Sequence, residues 1–99
     1  METKTEVNDI RSLPFDEKAR RFKDFVLGIG MNIEGGTGTV IWEFGRAVVE
    51  SHKLEGDAKK EFEEEMVNPI KNLLGQLSET NPEIKNAVLL ISSFEQNLF

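Results

Sequence analysis

The stretch Leu54-Glu55-Gly56-Asp57 decides how this chain folds. Glycine adopts the left-handed conformation that ends a helix without the steric cost other residues meet there. Aspartate can then cap a new helix, because its carboxylate accepts from the free N–H groups of the first turn. Leu54, Gly56 and Asp57 therefore predict a hairpin turn whose two flanking helices run antiparallel. Downstream, Ala58, Phe62, Met66, Ile70, Leu73, Leu74 and Leu77 recur at helical spacing, with Lys59, Lys60, Glu63, Glu64 and Glu65 off that face. Pro69 falls inside this segment, where it removes one hydrogen bond and predicts a kink rather than a stop.

A second breaker, Thr80-Asn81-Pro82-Glu83, places a capping side chain before a proline suited to the first helical position. Ile84, Ala87, Val88, Ile91, Phe94 and Leu98 then form the stripe of a last helix. Upstream of the turn, Ile41, Phe44, Val48 and His52 mark a helix that Thr39 can cap. It is separated by Ile33-Glu34-Gly35-Gly36-Thr37-Gly38-Thr39 from an earlier stripe of Phe15, Ala19, Phe22, Phe25, Val26 and Ile29. Three glycines in four residues carry a helix penalty of about 1 kcal/mol each. No lysine follows the last glycine and no strand pattern precedes the run, so it fits neither phosphate-binding template and is expected to be a flexible connection. Pro14 suits the opening turn of the first helix, with Ser12 or Leu13 just outside. Residues 1–13 lack periodicity and are expected to form a flexible arm.

No segment alternates in the manner of a strand. The expectation is one all-α domain over residues 1–99, either a long antiparallel helical hairpin or an up-and-down bundle of three to four helices.

Composition narrows the function. The chain has 99 residues, 38% apolar and 30% charged, a balance suited to one folded core. It contains no cysteine and a single histidine, which deprives a triad, a thiolate metal site or a histidine-based zinc site of its usual parts. The predicted protein is not an enzyme and has no cofactor or metal. A net charge of −6 without a basic stripe disfavours nucleic acid as a partner. No apolar run is long enough for a membrane span. The opening Met1-Glu2-Thr3-Lys4-Thr5-Glu6 lacks the pattern of a cleavable signal, so a cytoplasmic location, or export without such a signal, is expected.

His52, in Ser51-His52-Lys53-Leu54-Glu55-Gly56, resembles the motif of histidine-containing phosphotransfer domains. That resemblance implies a four-helix bundle with His52 as phosphoacceptor. Glu55 stands where that family has lysine, and a carboxylate there repels an incoming phosphoryl group. The alternative is an imidazole that interacts with the dipole and loose carbonyls of a helix C-terminus. Asp57, Glu61, Glu63, Glu64 and Glu65 lack the spacing of a calcium loop and read as a solvated helix face. An acidic inhibitor or immunity protein from a mobile element, its negative face set against a nuclease or toxin, is a further alternative.

The second half also resembles the Trp-x-Gly helical-hairpin superfamily of type VII (ESX) secretion substrates, including the small helical partners of LXG-type toxins. The residues concerned are Leu54 and Gly56 at the turn, then Ala58, Phe62, Met66, Pro69, Leu73, Leu77, Ile84, Ala87 and Ile91. The chain departs from that pattern where Leu54 replaces the turn tryptophan, where the glycine run splits the first helix, and where Leu98 follows Phe94 in place of an acid. The resemblance implies a protein–protein interaction module that works as a homodimer or as a heterodimer with another helical protein. Leu73, Leu77, Val88, Leu89, Leu90 and Phe94 are the expected interface, on the argument that stripes this broad exceed what one chain buries.

Overall fold

A computed structural model describes residues 12–33 and 35–99. The expected arm over residues 1–13 lies, apart from Ser12 and Leu13, outside the described residues. Four helices and no strand occur among them. These are α1 (Phe15–Met31), α2 (Thr37–His52), α3 (residues 56–78) and α4 (Pro82–Leu98). α1 packs along α2, α2 along α3, α3 along α4, and α4 returns onto α1. Of the two expected layouts, the up-and-down bundle is the one found, with four helices. Its principal extents of 44 × 33 × 17 Å leave room for two helix layers across the short axis, given interaxial distances of about 8–10 Å. Every helix therefore keeps a solvent face.

The core follows the stripes. Ala19, Phe22 and Val26 of α1, Ile41, Phe44, Ala47, Val48 and Val49 of α2, and Ile84, Ala87, Ile91 and Leu98 of α4 are buried together. Pro14 stands one position outside α1, where its extended backbone (φ −58°, ψ 152°) lets its carbonyl accept from the N–H groups of Glu17 and Lys18. It thus precedes the first turn rather than opening it. Asp16 and Glu17 occupy that turn, where their charge favours the helix dipole.

The glycine run is a tight corner. Gly35 takes a positive φ of 76°, and α2 starts at Thr37 with Gly36 in the capping position, so Thr39 lies inside the helix and does not cap it. The two helices meet here backbone to backbone. A Cβ on Gly38 would lie 2.6 Å from the Gly30 carbonyl oxygen, and one on Gly45 would lie 2.7 Å from Cγ1 of Val26. These contacts explain why glycine is needed at these positions although each costs its helix about 1 kcal/mol.

Gly56 is left-handed as expected (φ 59°), but it opens α3 rather than ending α2, which stops at His52 with Lys53 in a right-handed capping position (φ −81°, ψ −13°). The capping position falls on Glu55, whose backbone is extended (φ −135°, ψ 159°), and Asp57 lies within the first turn of α3 without capping it. α3 is one rod of three parts, an α-helix Gly56–Phe62, a π-helical turn Glu63–Val67, and an α-helix Asn68–Ser78. In the π-turn the N–H of Asn68 bonds to the Glu63 carbonyl, five residues back. The wider turn lies immediately before Pro69, whose ring would clash with the carbonyl four residues earlier in a regular α-helix. The expected irregularity at Pro69 is therefore a π-turn, and the rod continues through it.

The extra residue shifts the stripe. Phe62 is half-buried and the next inward side chain is Val67, five positions on, followed by Ile70, Leu74 and Leu77. Met66, expected on the inner face, is exposed. Asn81 caps α4 as the sequence predicts, its Oδ1 accepting from the Glu83 N–H at 3.2 Å, with Pro82 opening the helix.

Candidate interaction surface

Of the six side chains expected at an interface, three face solvent. Leu73, Leu89 and Leu90 are 44%, 59% and 54% exposed. Leu89 and Leu90 flank the inward stripe Ile84–Ala87–Ile91 of α4, and the helical period carries them off the buried face. Leu90 borders a shallow depression of about 250 Å³ with Ile29, Asn32, Ile33, Glu83, Asn86 and Ala87. Leu77 and Val88 are half-buried against the core. Phe94 is engaged within the chain, its ring centroid 4.5 Å from that of Phe25 and stacked at 6.3 Å on Phe22.

Three further large apolar side chains are exposed, namely Leu27 and Met31, which the sequence reading does not single out, and Met66, which it places on the inner face. Leu27 and Met31 lie off the α1 stripe and, with Trp42 and Ile33, border a depression of about 330 Å³ at the glycine corner. Their exclusion from the 3.6-residue period was a usable signal. Met66 was not readable, because its outward position follows from the π-turn.

His52 closes α2 at the opposite end of that helix from the glycine corner. Its Nε2 lies 2.8 Å from Oε2 of Glu95 on α4, and its ring stacks on Phe99 with centroids 4.2 Å apart and planes 9° from parallel. Phe99 in turn contacts the rings of Phe15 and Phe22 at 5.8 and 5.9 Å. The local expectation, an imidazole serving the carbonyls of its own helix end, gives way to a cross-bundle partner. A phosphoryl group arriving at Nε2 would meet the Glu95 carboxylate already there, with the second ring face direction constrained by Phe99. Of the turn residues, Leu54 is half-buried in the connection between α2 and α3, and Gly56 and Asp57 open α3.

The acidic residues of α3 do not converge. Among the described residues no group of three or more acidic, histidine or cysteine side chains could hold a metal ion. No buried side-chain nitrogen or oxygen there lacks a hydrogen-bond partner, so none points to an absent polar ligand; buried Ser51 donates to the Val48 carbonyl. Hydrogen bonds from Arg20, at 2.8 to 3.1 Å, and then its positive charge hold the Glu17 carboxyl below its ordinary value. Among the described residues no helix is long and apolar enough to cross a membrane.

The sequence matches no known protein family, no curated protein and no solved structure.

Proposed function

We propose that this protein is a helical protein–protein interaction module without catalytic activity of its own, which docks through the outer face of α3 and α4. The observation that carries the reading is the exposure of Leu73, Leu89 and Leu90 on that pair of helices. Covering each half-exposed leucine would contribute about 1 kcal/mol to an interface. The shallow depression beside Leu90 offers a place for a partner's apolar side chain. The engagement of His52 Nε2 by Glu95 argues against a phosphoacceptor role for that histidine.

The narrower form of the reading is a partner of type VII secretion substrates or LXG-type toxins. It draws support from the Leu54-x-Gly56 turn with its left-handed glycine and from the apolar stripes of the two helices after it. The division of the first half into two helices speaks against it.

The test is Leu90→Asp, followed by sedimentation of the chain alone and with proteins co-expressed from neighbouring genes. Association should be lost while far-ultraviolet circular dichroism stays unchanged. A variant that unfolds as a monomer would place Leu90 in the internal core and end the proposal.

A further inference from the structure

The π-turn of α3 has a consequence on the surface. By adding a residue between Phe62 and Val67 it carries Met66 out of the core to 50% exposure. Met66 then borders a depression of about 330 Å³ at the corner between α2 and α3, together with Leu54, Ala58, Phe62, Glu61 and Glu65. Four of these side chains are apolar. The two that are charged are both carboxylates, one helical turn apart, exposed, and in no ion pair among the described residues. π-turns recur at functional positions, and an exposed methionine adapts its shape to a partner.

We infer that this groove docks a basic amphipathic helix of a partner protein. Its apolar floor matches anchors at i and i+3 or i+4 of such a helix, and Glu61 and Glu65 match cations at the same spacing beside them. The net charge of −6 draws a cationic segment and repels an anionic one. Among the described residues, a second copy of this chain does not supply that segment. Its basic stretch, Lys18, Arg20, Arg21 and Lys23, belongs to α1, whose apolar residues Phe22 and Val26 are buried in its own core. The inference builds on the interaction-module reading but uses a different region from the Leu89–Leu90 face.

The experiment titrates the full chain, labelled with ¹³C at its methionine methyls, with an amidated leucine–lysine helix of roughly 16 residues, long enough to be helical when bound. A peptide with glutamate in place of lysine is the control. The Met66 methyl should shift with the basic peptide and not with the acidic one, while the Met31 methyl stays in place. Raising salt should weaken binding. Glu61→Lys with Glu65→Lys should weaken it about tenfold or more, as two attractive pairs become repulsive. Met66→Asp should do the same, and Leu90→Asp should leave it unchanged. A shift at Met31 in place of Met66, an absent shift, or undiminished affinity in both groove variants would overturn the inference. Loss of association in Leu90→Asp, with no peptide bound at Met66, would sink the groove alone and leave the proposed function standing.

Discussion

The two halves of the bundle solve the same packing problem in opposite ways. In the α1–α2 pair, glycines at 30, 38 and 45 bring backbone against backbone or against a buried valine, and most of α2 between Ile41 and Ser51 is buried. In the α3–α4 pair the helices meet through larger side chains such as Leu74, Ile84 and Ile91, and Gly75 has open space around it. Three exposed leucines lie on this second pair. Close approach leaves little freedom to change a residue, whereas looser contact leaves room for added side-chain volume; both pairs keep exposed apolar side chains, Leu27 and Met31 on the first and Met66, Leu73, Leu89 and Leu90 on the second.

Gly38→Ala tests the tight half most severely. Its Cβ would press on the backbone oxygens of both Gly30 and Ile33, so the corner must open, at a cost of about 3 kcal/mol. Denaturant unfolding should show that loss; a change below about 1 kcal/mol would mean the corner is far more pliable than its geometry implies. The link between the halves is weaker. Glu95→Ala leaves His52 without its carboxylate partner and should cost about 1 kcal/mol in the same assay. No loss would show the bond to be replaceable by water.

Gly75→Ala probes the loose half and carries the opposite sign. With nothing within reach of the new methyl group, the gain in helix propensity should stabilise the protein by about 0.7 kcal/mol. Destabilisation there would overturn the contrast between the halves. The smallest effect concerns Glu17 and Arg20. Because the Glu17 carboxyl is held below its ordinary value, the stability it contributes is present above the ordinary carboxylate pKa and fades as pH falls through the lowered one. In low salt, a small difference in Tm between the native chain and Arg20→Gln should therefore vanish on acidification. A gap that persists in strong acid would have another origin.

The helical periods of α1, α2 and α4 were legible because each stripe is regular and its breakers are local. Asn81 with Pro82 is a case in which a few adjacent residues contain the whole physical argument, whereas Gly56 takes the expected left-handed conformation at the start of α3 and not at the end of α2. The caps expected of Thr39 and Asp57 failed for a related reason. Glu55 has the extended backbone of a capping residue and Gly36 is already right-handed, so both helices begin earlier than side-chain chemistry suggested. Met66 was misplaced because one inserted residue changes the period from four to five, which a stripe of evenly spaced apolar residues does not reveal. His52 and Glu95 lie 43 positions apart, and no local pattern connects them. Nor does spacing alone tell that Phe94 turns toward Phe22 and Phe25 while Leu90 stays outside.

The circular order in which the helices touch bears on how the chain reaches this state. Three of the four seams join neighbours in the chain, and only the return of α4 onto α1 asks distant segments to find one another. Wiring of this kind keeps the entropy of loop closure low until the final step, so the search for the native state should be fast, on the order of milliseconds or less. Phe94 on Phe25 belongs to that last seam, and the bond from His52 to Glu95 crosses the bundle beside it. Both join segments distant in the chain, so loop-closure entropy is the cost that their formation has to offset.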